Sequence, residues 1–346
     1  MTRSRSGFRN RVRRRLLETD TVRLNELGQE AAAAARLMGD AALLARRIQV
    51  ESGSVRAKDD ESPVTIVDFA VQAVVASRLA ARFPDDPLVA EEDAAALREP
   101  AAAALLSRVA GAVHTVSPGL AATGLLDAID RGCGDPAARF WTLDPIDGTK
   151  GLLRGGQYVV ALALVVGGEV EVGAIGCPRL SLSASGGGEG GVAIAARGRG
   201  SWWMSLDGDE LSPLVVSTVS DPGGARVATS VEESHSDRGQ LEVLRATLGS
   251  QAPAILMDSQ AKHVIVAAGE ADVLVRFPRA GYREAIWDQA AGAILIGEAG
   301  GRITDLVGRA LDFSTGRRLV QNDGLVASNG RLHEALLRAL SPQRPA

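Results

Sequence analysis

The chain has 346 residues, 46% of them hydrophobic, and a formal net charge of -4. That length suits two domains or one large one, and the charge excludes a chain that coats nucleic acid. Aromatic residues make up only 3% and cysteines number two, Cys133 and Cys177, so neither a base-stacking platform nor a disulfide framework is expected. Both cysteines are expected to be free thiols, with a reducing, cytoplasmic compartment as the default.

The elements follow in chain order. Up to about Glu18 the basic residues are all arginine, with no acid before Glu18. Such a segment fits an organelle transit sequence, a basic disordered arm or a misassigned start equally well, and residues 1–22 are set outside the fold. An arm of this kind on nucleic acid is one non-enzymatic use of the chain. Leu24 to Val50 carries Ala and Leu at helical spacing, which predicts a long amphipathic helix. Ser62-Pro63 interrupts it, and a second helix is expected over Val67 to Phe83, beginning near Asp68. After Pro84-Asp85-Asp86, a short strand Leu88-Val89-Ala90 delivers Glu91 and Glu92; Ala94 to Val113 then reads as helix. A looser connection from Ser117 to Arg139 has a helical patch near Leu125 to Ile129.

Beyond the central motif described below, Val159 to Val166 and Val170 to Ile175 read as a hairpin about Gly167-Gly168. Gly186 to Gly191 reads as a loop, and strand character returns from Val192 to Trp203. Pro and Gly cluster near Ser217 to Gly224, which places a boundary there and divides the fold into 23–220 and 221–341. Past it, strand-like and helix-like runs alternate up to a helix over Asp288 to Ala299, which argues for an α/β second half. No apolar stretch approaches the roughly 20 residues of a membrane-spanning helix, so no membrane association is expected.

The central motif is Trp141 to Gly151, W-T-L-D-P-I-D-G-T-K-G. Pro145 fixes φ and lacks an N–H, so this stretch is expected to turn sharply rather than run as an ordinary helix interior or central strand. Such a turn aims Asp144, Asp147 and the Ile146 carbonyl at one point, while Gly148 allows close backbone approach and Thr149 offers a hydroxyl. Crowded oxygen ligands suit Mg²⁺, and amides at a helix start suit phosphate. The pattern points to metal-assisted phosphate chemistry on a small-molecule substrate. Taken singly, Asp288 in Trp287-Asp288 and Asp68 after Ser62-Pro63-Val64-Thr65 read as helix N-caps. Only three lysines occur, Lys58, Lys150 and Lys262; in so arginine-rich a chain they mark positions where a compact ammonium matters.

In this order, S-P-V-T…D, A-E-E-D, W-T-L-D-P-I-D-G-T-K-G and W-D with a downstream G-E-A-G-G, the motifs resemble the inositol monophosphatase superfamily of Mg²⁺-dependent, Li⁺-sensitive phosphatases, over about Leu24 to Leu340. Four features resemble its 3′(2′),5′-bisphosphate nucleotidase branch. These are Thr149-Lys150-Gly151 with Leu153-Arg154-Gly155, Ile175-Gly176-Cys177-Pro178, Met257-Asp258-Ser259-Gln260-Ala261-Lys262, and a long helical insertion between Glu91 and Asp144.

The resemblance implies an α/β (α+β) fold, a layered αβαβα sandwich of the inositol monophosphatase/fructose-1,6-bisphosphatase type. It also implies two or three Mg²⁺ ions held by Glu91, Asp144, the Ile146 carbonyl, Asp147 and Asp288, with Thr149, oriented by Asp68, taking a proton from the attacking water. Gly148 and Thr149 would cradle the phosphoryl oxygens, and His235, Ser259, Lys262 and Arg276 would bind the rest of a nucleotide carrying phosphates at both 3′ and 5′ carbons. The implied reaction removes the 3′-phosphate of adenosine 3′,5′-bisphosphate, with 3′-phosphoadenylyl sulfate as a further substrate. An inositol phosphate phosphatase and a nucleotide-binding regulator are the alternatives, although no metal carboxylate is missing. Three positions depart from the pattern: Ala90 for a glycine, Gln289 for a histidine after W-D, and Arg238 for a second histidine.

Overall fold

The computed structural model describes residues 22–54, 63–120, 122–183, 188–231, 238–277 and 281–341. Lys58 and His235 lie outside these residues, as does part of the Gly186 to Gly191 loop. A 3₁₀ turn at Leu24–Leu27 leads into helix α1 (Gln29–Ser54), and α2 (Pro63–Arg82) follows. Pro63 opens α2 in its first turn, where no intrahelical N–H is needed. Asp68 is therefore one full turn inside the helix and buried, not a cap at its start.

Strand β1 (Leu88–Ala90) runs parallel to β2 (Arg139–Asp147), and between them lie α3 (Ala103–His114) and α4 (Ala122–Asp130). The helix expected over Ala94 to Val113 is broken: 3₁₀ turns at Ala96–Arg98 and Pro100–Ala102 precede α3, because Pro100 supplies no amide to an α-helix. After a short helix α5 (Thr149–Arg154), β3 (Val159–Val166), β4 (Glu169–Cys177), β5 (Gly191–Ala196), β6 (Gly200–Ser205) and β7 (Leu211–Leu214) continue antiparallel in sequence order. Gly167 and Gly168 both take positive φ, 59° and 81°, as a tight two-residue hairpin turn requires.

The second sheet holds β8 (Val227–Thr229), β9 (Ile255–Leu256), β10 (Val273–Arg276), β11 (Arg302–Thr304) and β12 (Leu325–Ser328), in the order β11-β12-β10-β8-β9. Its helices are α6 (Arg238–Leu248), α7 (Ala261–Ala267), α8 (Ala290–Glu298) and α9 (His333–Leu340).

Three apolar cores run through five layers, the middle one filling both faces of the central helices. Along β3, Val160, Leu162 and Leu164 face a core shared with α1 and α2, while Val159, Ala161, Ala163 and Val165 face a core shared with α7 and α8. Burial on both faces explains why β3 is a continuous apolar run with no polar alternation. The other side of the second sheet packs Val227 and Val275 against Leu244 of α6 and Leu336 of α9. The order is thus helices, sheet, helices, sheet, helices, the αβαβα sandwich the resemblance implies. Two glycines of β4 set how close the helices come. A Cβ at Gly176 would meet the Met38 carbonyl of α1 at 2.4 Å, and one at Gly173 would meet Ile294 Cγ2 and the Ala291 carbonyl of α8 at 2.5 and 2.8 Å.

Cys133 is exposed, Cys177 is buried, and both are free thiols. Among the described residues no helix is long and apolar enough to cross a membrane.

Candidate active site

Parallel pairing of β1 with β2 puts their carboxyl ends side by side, with Ala90 opposite Leu143. Glu91 therefore leaves its strand next to Asp144, where ligands commonly gather at the ends of parallel strands. The sharp turn expected at Pro145 does not occur. Instead β2 runs on to Asp147, with Asp144 opposite Ala161, Asp147 opposite Val159, and a register shift between. Pro145 is tolerated because it sits in that bulge and beyond the end of β1, where no ladder partner requires its N–H. The turn comes at Gly148, which takes φ +92° and opens α5. A Cβ on Gly148 would meet Ser259 Cβ at 2.8 Å, so the glycine lets the 258–260 loop close over this corner.

Asp144 is 2% exposed, and its Oδ1 is buried without a hydrogen-bond partner. Asp147 accepts from the Gln260 amide at 2.6 Å. Asp288 does not cap α8, which begins two residues later at Ala290; its Oδ2 instead accepts from the Ala285 amide at 3.3 Å and the Tyr282 hydroxyl at 3.4 Å. The Thr149 hydroxyl donates to the Ile146 carbonyl at 3.5 Å, and among the described residues no hydrogen bond links it to Asp68. The direct Asp68–Thr149 pairing expected from the resemblance is thus not formed.

Asp68, Glu91, Glu92, Asp144, Asp147 and Asp288 share one electrostatic field. Burial, then the charges of Asp288, Glu92 and Asp147, push Glu91 up to about 7. Burial lifts Asp288 to about 7 as well, with Glu284 and Asp147 adding to it and Arg276 opposing. Asp144 is raised well above the usual carboxylate range by burial and by Asp147, Glu91, Asp288 and Asp68. Asp68 is raised by burial and by Glu92 and Glu91. Among the described residues no three His, Cys, Asp or Glu side chains already stand close enough to share one ion. The fit to a divalent cation rests on the orphaned buried Asp144 oxygen and on an all-oxygen donor set whose mutual repulsion a hard cation offsets.

A second, cationic group lies on the other side. Ser259 has φ +63°, a left-handed conformation forced by the tight 258–260 turn, and it leads into α7. Lys262 is 5% exposed and donates to the Met257 carbonyl at 3.0 Å; burial lowers its ammonium to about 8, against the pull of Asp147. Arg276, at the end of β10, pairs with Glu284 at 3.2 Å. Of the two lysines among the described residues, Lys150 is exposed on α5 and Lys262 is buried. The described residues place Asp68, Glu91, Asp144, Asp147, Asp288, Lys262 and Arg276 in one field, and Gly148 against Ser259; His235 lies outside them.

Sequence reasoning passed over several residues that hold this site. Gln72, wholly buried, donates to the Glu92 carbonyl at 2.6 Å and to Ile129 at 2.8 Å, and accepts from the Glu92 amide at 3.1 Å. A lone amide in the apolar run F-A-V-Q-A-V-V of α2 was the available signal. Gln289 bridges His263 at 3.1 Å and Glu284 at 3.0 Å, so this departure from the family pattern is a satisfied link behind Arg276. Ala90 is accommodated because residue 132 is glycine: a Cβ there would come within 2.8 Å of the Ala90 methyl.

Against known proteins, the model of the inositol monophosphatase family matches residues 21–344. A 3′(2′),5′-bisphosphate nucleotidase of Oryza sativa is 40% identical, covering 91% of this chain and 94% of its own. One of Emericella nidulans is 39% identical, covering 82% and 89%. Among solved structures, Mycobacterium tuberculosis SuhB superposes with a TM-score of 0.59 at 23% identity over 90% of this chain and 95% of its own. Thermotoga maritima IMPase TM1415 gives 0.60 at 21% over 89% and 94%. These two share the fold.

Proposed function

Because this chain belongs to the inositol monophosphatase family, we propose that it is a Mg²⁺-dependent, Li⁺-sensitive phosphatase of the 3′(2′),5′-bisphosphate nucleotidase type. It converts adenosine 3′,5′-bisphosphate to AMP and phosphate, and accepts 3′-phosphoadenylyl sulfate as a further substrate. The names and coverage of the relatives support the reaction. The observation that carries the substrate class is the cationic pair Lys262 and Arg276, which lies across from the carboxylates and supplies a second anion site.

Glu91, Asp144, the Ile146 carbonyl, Asp147 and Asp288 hold the Mg²⁺ ions, which supply Lewis-acid activation of a water and of the phosphoryl group. Thr149, oriented by Asp68 in the metal-loaded state, takes the proton of the attacking water. Backbone amides at Gly148 and Thr149 bind phosphoryl oxygens. Lys262, Arg276 and Ser259 hold the other phosphate, and His235 contacts the nucleoside. In this reading residues 23–220 form the metal-binding part, completed by Asp288 from 221–341, the substrate-binding part, a division supported by the first sheet ending at Leu214 and the second beginning at Val227.

The test is phosphate release with Mg²⁺ from adenosine 3′,5′-bisphosphate against inositol 1-phosphate, with and without millimolar Li⁺. A Li⁺-inhibited preference for the nucleotide, lost in Lys262→Met and Arg276→Met, is the expected result. Preference for the inositol ester would overturn the substrate assignment and leave the metal chemistry in place.

A further inference from the structure

Arg317 belongs to none of the motifs considered above. Its segment pairs with the one before the Asp288 turn: the Ile286 amide donates to the Arg317 carbonyl at 3.1 Å, and Arg318 forms a bridge with Ala285. The Arg317 guanidinium lies 5.0 Å from the centroid of the Trp287 ring. One of its terminal nitrogens donates to the carbonyls of Gly132 and Gly134 at 3.3 and 3.2 Å, and the other to the carbonyl of Ala90. All three acceptors are backbone, and the Ala90 carbonyl belongs to the peptide unit that leads into Glu91.

The loop that supplies the other two carbonyls is pressed onto β1. The Ala90 amide donates to the Gly132 carbonyl at 2.8 Å, and Cys133 bridges Val89. A Cβ on Gly132 would meet Gln72 Nε2 at 2.5 Å, and one on Gly134 would meet the Leu88 carbonyl at 2.7 Å. A shift of Arg317 is thus transmitted directly to the end of β1.

We propose that Arg317 is a positioning residue for divalent-cation binding, fixing Glu91 against Asp288 by joining the peptide before the first to the ring before the second. A charged donor shared among carbonyls forms stronger bonds than a neutral one, and a planar guanidinium can stack on indole while its edge donates. Lysine, a point charge on a flexible stem, reproduces neither the stack nor the fork. The inference rests on the assignment of Glu91 and Asp288 as metal ligands.

Calorimetric titration of the full chain with Mg²⁺ alone, checked by tryptophan fluorescence, tests it in Arg317→Met, Arg317→Lys, Glu91→Gln and Asp288→Asn. The expected weakening in Arg317→Met is about 10- to 100-fold, with a smaller loss in Arg317→Lys. At saturating Mg²⁺, turnover is restored and the substrate KM is unchanged, a split that a general loss of folding does not produce. Wild-type Mg²⁺ affinity in Arg317→Met, with Glu91→Gln and Asp288→Asn both weakened, overturns this inference alone, as does a turnover deficit that saturating Mg²⁺ leaves in place. Wild-type affinity in Glu91→Gln and Asp288→Asn overturns it together with the metal assignment. If Arg317→Met shows no cooperative melting, Arg317→Lys decides: weakened binding supports the inference and unchanged binding overturns it.

Discussion

Gln72 uses both ends of its amide to fasten the Glu92 backbone to α2, and it does so wholly out of solvent. Replacing it with leucine keeps the volume but strands buried backbone groups of Glu92 and Ile129. Gln72→Leu is expected to cost about 1–3 kcal/mol for each group left unsatisfied, read by urea denaturation, and to lower turnover by releasing the Glu91–Glu92 corner. Asp144→Asn should do the reverse to stability. Neutralising a buried carboxylate that four acidic neighbours repel removes a penalty, so the chelated variant is expected to melt at or above the wild-type temperature while activity collapses. A lower melting point would refute that account. Asp144 and Asp147 were legible because they sit in a short motif with proline and glycine beside them, whereas the metal roles of Glu91 and Asp288 came from the family resemblance. Glu284 and Arg317 were not legible, because neither sits in a motif and the contacts of each appear only in the fold, and Gln72 offered no more than a lone amide in an apolar run.

The same contrast holds for elements. The Gly167-Gly168 hairpin and the strands beside it were readable, since turn chemistry and apolar runs are local. The passage of β2 through Pro145 was not, because it depends on where β1 ends and on a bulge that only the pairing reveals. Helix α8 offered no amphipathic stripe to read. It lies between two sheets and is apolar nearly all round, with Ala290, Ala291, Ile294, Leu295 and Ile296 buried. Its seat on β4 is tested by Gly173→Ala. The added methyl has no room against Ala291 and Ile294, so overpacking is expected to cost about 1–3 kcal/mol, seen as a lower denaturation midpoint at unchanged m. A neutral result would mean that α8 moves aside freely.

At the scale of the whole molecule, the clustered carboxylates tie stability to pH and to metal. Glu91 and Asp288 have folded-state values raised to about 7. Their contribution to the metal-free protein is therefore fully present below the ordinary carboxylate range and lost as pH rises through about 7. His263 and His333 run oppositely: burial holds them down to about 3 and about 4, so their contribution is lost as pH falls below the ordinary histidine range. The shift in melting temperature produced by Mg²⁺ largely cancels the histidines and isolates the carboxylates. Because the cation needs them ionised, that shift should grow steadily from pH 5.5 to 8.5, with most of the gain near neutrality. A shift independent of pH would show that Mg²⁺ stabilises the chain elsewhere. The order of the five layers came from family resemblance, since alternation of strands and helices fixes a class but not a stacking sequence.

Most carboxylates of the site hang from the first sheet, Glu91, Asp144 and Asp147, with Asp288 supplied by the second half, where Lys262 on α7 and Arg276 at the end of β10 also lie. Inheritance can act on carboxylates and cations separately. Mutations that reshape the 257–262 loop or the end of β10 can accumulate over many generations, trying one phosphate ester after another, while the reaction itself passes unchanged from ancestor to descendant.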